Sequence, residues 1–263
     1  MRVLITGAAG HIGRVLTAGL SADHELRGLD LRASGGAFPG QFFIGDCADP
    51  LLVSRAVEGV DAVVHLAGLA TESDLPSILH THVETTAAVL QAMVDHGVSR
   101  LVYASSNHAV GMTPRCDVLS TTVRPRPDTF YGVGKVAAEA LLSLYSDRHG
   151  ISSVALRIGS FLEQPETRRN LATWLSYRDC VALVQAALVA DVTGVSVVYG
   201  ISANTDAWWD LEPGRLLGYH PQDDATAFRD RLTERAEDAD EAAHVGGPYA
   251  TPSFSRRPFT DRL

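Results

Sequence analysis

Val3-Leu4-Ile5-Thr6-Gly7-Ala8-Ala9-Gly10-His11-Ile12-Gly13-Arg14-Val15-Leu16 is the stretch that decides the fold. Residues 3–5 form a short, β-branched apolar run closed by Thr6-Gly7, the pattern of a buried parallel strand. Beyond the loop 7–10, Ile12, Val15, Leu16 and Leu20 fall at helical spacing. Gly7, Gly10 and Gly13 stand three apart at the join. The first permits a tight turn, the second lets backbone approach a pyrophosphate, and the third lets the helix pack close on the sheet. Phosphates then sit at the helix N-terminus, where free N–H groups and the helix dipole favour anions. Three glycines alone are weak. The strand before them and the helix after them make the turn a dinucleotide site.

The same alternation runs outward. Strands are expected over 25–30, 42–44, 62–66, 101–104, 154–158 and 196–199, and helices over 51–57, 77–94 and 130–148. Ser176 can cap a further helix with Cys180, Val181, Val184 and Leu188 in the core. This predicts an α/β Rossmann-type doubly wound parallel sheet. Residues 1–160 are expected to bind the dinucleotide. Residues 161–263 are expected to form a smaller substrate-binding part, with a strand and a helix returning to the core. Residues 223–241 are charge-rich, with Ala225, Phe228 and Leu232 at helical spacing, and read as a solvated amphipathic helix. Residues 246–263 read as loop.

A chain of 263 residues, 46% hydrophobic, is ample for a sizeable core. The net charge is -9 and no block of Lys and Arg stands out, so nucleic acid and anionic membranes are not expected partners. Cys47, Cys116 and Cys180 form no metal-ligand pattern and read as free thiols in a reducing compartment. With no leader and no apolar span, a cytoplasmic location is expected.

Asp30 closes the second strand. A carboxylate there accepts ribose hydroxyls and repels a 2′-phosphate, which favours NAD over NADP; Arg32 partly offsets this. Asp46 ends the third strand, near the adenine position or as a turn cap. Ala67-Gly68 offers a small-residue floor. Tyr131 and Lys135 are spaced i,i+4 and share a helix face. Tyrosine loses its proton near about pH 10. A nearby ammonium and a positive nicotinamide ring both favour the phenolate. Tyr131 can then take the proton of a substrate hydroxyl, with Ser106 orienting the oxygen.

The glycine motif, Asp30, Ser106, Tyr131 and Lys135 resemble, in order and context, the extended short-chain dehydrogenase/reductase superfamily over roughly residues 1–200. The closer resemblance is to the uronate dehydrogenases. It is carried by Ala104-Ser105-Ser106-Asn107-His108, Arg126-Pro127-Asp128, Tyr131-Gly132-Val133-Gly134-Lys135, Arg157-Ile158-Gly159-Ser160, Trp174-Leu175-Ser176, Ser202-Ala203-Asn204 and Trp208-Trp209-Asp210. The resemblance implies oxidation of a cyclic uronic acid at C1 to an aldarolactone, with NAD reduced to NADH, by a homo-oligomer.

It implies cofactor contacts at Gly7, Gly10, His11, Ile12, Gly13, Asp30, Leu31, Asp46, Cys47, Leu66, Ala67, Gly68, Tyr131, Lys135, Ile158 and Ser160. It implies substrate contacts at Ala70, Ser106, Asn107, His108, Tyr131, Ser160 and Arg169, the last holding the carboxylate. The residues alone leave alternatives: Arg168 and Arg169 as an exposed pair, His108 as a turn cap, and Trp208 with Trp209 as packing. Ala70, followed by Thr71, departs from the family, which has a substrate-contacting serine there. Tyr249 is placed as an aromatic lid. Two rival readings are a nucleotide-sugar epimerase or dehydratase, for which the chain after Ser160 is short, and a non-catalytic NAD(H) sensor, which would need no Ser-Tyr-Lys set.

Overall fold

The computed structural model describes residues 1–259. Its central sheet runs β3 (Gly40–Ile44), β2 (Glu25–Asp30), β1 (Arg2–Thr6), β4 (Ala62–His65), β5 (Arg100–Ser106), β6 (Ser152–Ile158), β7 (Val195–Gly200). All six pairings are parallel. Parallel neighbours need crossovers, supplied by α1 (His11–Leu20), α2 (Pro50–Val57), the helical stretch before β5, α5 (Phe130–His149) and α6 (Tyr177–Val189). Val3 and Ile5 enter one core cluster with Leu16, Leu20 and Leu183. Leu4, between them, enters another with Val53, Leu90, Met93 and Leu142. The strand alternation of period two thus buries both faces, which is why β1 reads as a continuous apolar run. Strand order reverses between β1 and β4, and ligands of such sheets bind beyond the strand ends at that switch point.

The strands agree with the sequence reading to within a few residues, and Ser176 Oγ accepts from Asp179 N at 3.0 Å to cap α6. Trp208 and Trp209 are buried and packed in the core. Cys47 and Cys180 are buried, and burial pushes both thiols up to about 12, so neither is a thiolate at neutral pH.

The helix expected over 77–94 is not uniform. α3 (Leu75–Ile78) widens into a π-turn over Leu79–Glu84 before α4 (Thr85–Asp95). Thr81, Thr85 and Thr86 each return their hydroxyl to the carbonyl four residues back, which bends the helix and loosens its ladder. The wide turn buries His82 under Gly68 at the cleft.

The single solvated helix expected over 223–241 is absent. A 3₁₀ segment at Ala225–Arg231 and the short α7 (Asp238–Ala242) replace it. Two carboxylates fix the chain locally: Asp179 accepts from the backbone N of Gln222 and Asp223, and Asp224 caps the 3₁₀ turn. Ala225 is buried against Leu171 and Trp174. The charges are partly inward too: Arg235 holds Asp238 and the buried Glu241. The tail is mostly irregular, with one 3₁₀ turn at Gly247–Ala250. Its residues 260–263 lie outside the described part.

Candidate active site

A cleft of about 780 Å³ opens at the strand ends beside the switch point. Every expected cofactor contact lines it except Ser160. Gly7 has φ 69°, and a Cβ there would lie 2.9 Å from Ala67 N. A Cβ on Gly13 would overlap the Gly7 carbonyl, so α1 can rise this close to the turn only with glycine. α1 has no side-chain cap, leaving its first N–H groups for an anion. Buried Asp30 accepts from Ala9 N and Arg32 N, each at 3.0 Å. The exposed Arg32 guanidinium stays 3.9 Å away. Asp46 caps its turn through Ala48 N at 2.8 Å, which holds its carboxyl below the usual range; His80 is its second partner at 3.1 Å.

Tyr131 and Lys135 stand on the first turns of α5. Thr129 Oγ1 caps the helix by accepting from Gly132 N at 2.9 Å. Glu72 adds a second cap from the loop after β4, accepting from Phe130 N at 3.1 Å and Tyr131 N at 2.8 Å. A carboxylate on these orphan donors also complements the helix dipole, so Glu72 pins the backbone that carries the phenol. Lys135 Nζ donates to Ala104 O at 2.6 Å and lies 5.3 Å from the centre of the Tyr131 ring. Burial brings its ammonium down to about 7, with Glu139 pulling the other way. Burial pushes Tyr131 up to about 12, against the hydroxyl of Ser106. His82 packs edge-on to the Tyr131 ring at 5.2 Å, and burial, helped by Lys135, holds it down to about 2, hence neutral. Without a further positive charge nearby, burial thus keeps the phenol protonated and weakens the ammonium beside it.

Lys135 also gives the fold a pH dependence. The free side chain titrates near 10.5 and the folded one at about 7. Between those values the unfolded chain binds the extra proton, so stability rises with pH. Above about pH 9 the raised thiols of Cys47 and Cys180 turn the slope back. Urea unfolding of the cofactor-free protein should show greater stability at about pH 9 than at about pH 7, by about 1–2 kcal/mol, with Lys135→Met removing the gain. Equal slopes in the two proteins would contradict the buried amine.

The substrate candidates gather beyond Ser106. Asn107 Nδ2 donates to Val245 O at 3.1 Å. His108 Nδ1 meets both oxygens of Asp128, at 3.0 and 2.8 Å, so its ring serves as more than a turn cap. Arg169 donates from Nη1 to Ser160 Oγ (3.2 Å) and Thr173 Oγ1 (3.4 Å), and from Nη2 to Val245 O (2.7 Å). Its Nε is buried without a partner, and burial lowers the guanidinium to about 10. Arg168 instead turns outward to exposed Glu234 at 3.5 Å. The two arginines are thus not an exposed pair. Arg169 does not line the 780 Å³ cleft but a neighbouring cavity of about 550 Å³. Ala70 is exposed at the cleft. Tyr249 packs edge-on against His108 at 5.1 Å, reaching the substrate group from the tail.

A family model described as the NAD-dependent epimerase/dehydratase family matches residues 3–177. The chain belongs to that family. It is 39% identical over 255 residues to a uronate dehydrogenase of Pseudomonas putida, covering 95% of each protein. It is 36% identical to an NAD-dependent glucose-6-phosphate dehydrogenase of Haloferax volcanii, over 91% of this chain and 98% of the relative. Among solved structures, a mutant uronate dehydrogenase from Agrobacterium tumefaciens, in complex with NAD, superposes with a TM-score of 0.89 at 37% identity. The superposition covers 97% of this chain and 99% of that one.

The cofactor of this epimerase/dehydratase-family enzyme is NAD. The chain's own residues fit it: a glycine cradle that a Cβ would fill, uncapped N–H groups on α1, and a buried carboxylate at Asp30. Sequence reasoning missed Glu72, Thr173 and the Val245 carbonyl, and it missed the cleft-lining His80, Thr81, His82 and Thr85. The helical run at 77–94 was visible, but not which face meets the cleft.

Proposed function

We propose that this NAD-dependent dehydrogenase oxidises a cyclic uronic acid, D-glucuronate or D-galacturonate, at C1 to the aldarolactone. The observation that carries the reading is Arg169. It is half-buried, and although the negative charges of Glu241 and Asp128 act on it, among the described residues no carboxylate forms an ion pair with it. A guanidinium has five N–H donors. Three are spent on Ser160, Thr173 and Val245, leaving one on Nη2 and the buried Nε–H. An unpaired buried cation is costly, and a bound carboxylate would relieve it through charge-assisted bonds. The uronate dehydrogenases among the relatives support the same substrate class.

In this reading residues 1–160 hold the cofactor and the Ser106-Tyr131-Lys135 set, and later residues bring Arg169 and Val245. Bound NAD supplies the hydride acceptor and a positive ring. Ser106 Oγ orients the C1 hydroxyl. Tyr131 Oη takes its proton as the C1–H bond gives up its electron pair and C1=O forms. Lys135 keeps positive charge near the phenol, offsetting the burial that otherwise holds it protonated.

NADH formation with NAD and each uronate tests the reading. Turnover of a uronate, with far weaker turnover of glucose 6-phosphate, is expected. Turnover of glucose 6-phosphate alone would overturn the substrate class, and conversion of a nucleotide sugar would favour an epimerase.

A further inference from the structure

Asp128 has a side chain with no solvent exposure. Its carboxylate is wedged where a Cβ on either Gly111 or Gly246 would overlap it. Those glycines join the turn after β5 to the tail, through Gly246 N donating to Gly111 O at 2.9 Å. The carboxylate's side-chain partners are the Thr129 hydroxyl at 3.0 Å and His108 Nδ1. A buried carboxylate is costly unless bonded, so the pocket drives the imidazole to present a proton at Nδ1. The His108 ring is then clamped at one edge by Asp128 and flanked edge-on by Tyr131 at 5.8 Å and Tyr249 at 5.1 Å. Nε2 has no protein partner among the described residues, and it is not one of the buried unpaired atoms.

We propose that Asp128 is a positioning residue: it fixes the rotation and tautomer of His108, so that the Nε2 lone pair faces the substrate and accepts a sugar hydroxyl. This rests on the uronate reading and deepens it. The neutral imidazole with hydrogen on Nδ1 is an acceptor at Nε2, whereas the other tautomer would offer a donor there. A hydroxyl oriented by donating to Nε2 is held in one direction beside the phenol that takes the C1 proton. A ring free to flip would present Nε2 to the sugar only part of the time.

Asp128 also sits at a structural junction, so lost activity alone proves little. A double-substitution cycle separates the roles. Asp128→Asn keeps the size, but gives up the charge and one acceptor oxygen. Alone, it should lower kcat/KM for the better uronate by about 10- to 100-fold, the size of one charge-assisted hydrogen bond, mainly through KM. The Kd for NAD should stay within about twofold. In a His108→Gln background the same change should cost less than about threefold. Equal losses in both backgrounds would overturn the proposal. Nitrogen-15 NMR of the histidine-labelled wild type decides it without turnover or a variant that must fold. A His108 signal of the Nδ1–H tautomer is expected, and the Nε2–H tautomer or averaging between the two would refute the clamp. A wild type inactive on both uronates would sink the substrate reading, while the NMR signal still decides whether Asp128 sets the ring.

Discussion

Tyr131→Phe should fold, bind NAD with unchanged affinity, and lose about 10²- to 10⁴-fold in kcat on the better uronate, the range for removing a positioned general base. The substitution deletes one oxygen. The ring stays packed edge-on to His82 and His108, and the α5 caps at Thr129 and Glu72 bond backbone rather than the phenol. Of the other groups around the ring, His108 Nε2 is taken by a different sugar hydroxyl in the proposed arrangement. Lys135 is a donor committed to Ala104 O, Ser106 Oγ already accepts from His108 N at 3.2 Å, and His82 is sealed under Gly68. Steady-state NADH formation, NAD titration and thermal melting measure the three quantities. A variant within about tenfold of wild-type kcat would remove Tyr131 from the chemistry.

Arg169→Met should lower kcat/KM for uronates by about 30- to 1,000-fold, the cost of truncating one partner of a buried charge pair. It should do so without weakening NAD, because Arg169 lies outside the cofactor cleft. The methionine fills the stem's volume. Ser160 and Thr173 keep each other at 2.9 Å, and Asn107 still serves Val245 O, so the fold should hold. Selectivity is the sharper readout. A neutral aldose has no carboxylate to lose, so its kcat/KM should change little, and the ratio of uronate to aldose turnover should collapse. Arg169→Lys keeps the charge but not the planar fork, and should fall between the two. A parallel loss on uronate and neutral aldose would mean that Arg169 only supports the tail.

The cofactor half of the site was legible because its signals are local. Gly7, Gly10 and Gly13 sit within seven positions, with a strand before and a helix after, and the i,i+4 spacing of Tyr131 and Lys135 needs only a helix. The substrate half depends on pairs far apart in sequence. Asn107 and Val245 are 138 residues apart, and Glu72 and Tyr131 are 59. No periodicity announces such contacts; the resemblance to a family named Arg169 and His108, but not what holds them. The helix expected over 77–94 is there in outline, yet its π-turn follows from threonine hydroxyls competing for carbonyls. At 223–241 the apolar spacing was real, but Ala225 packs with Trp174, and Asp179 holds the backbone of Gln222 and Asp223 where the chain enters a 3₁₀ segment capped by Asp224.

The central claim is hydride transfer from C1 of a uronic acid, and deuterium at C1 reports on it directly. Wild-type enzyme given NAD and C1-deuterated galacturonate or glucuronate should place that deuterium on the reduced nicotinamide, and the sugar should leave as a lactone with none at C1. Reduced cofactor free of deuterium, or deuterium retained in the sugar product, would contradict it.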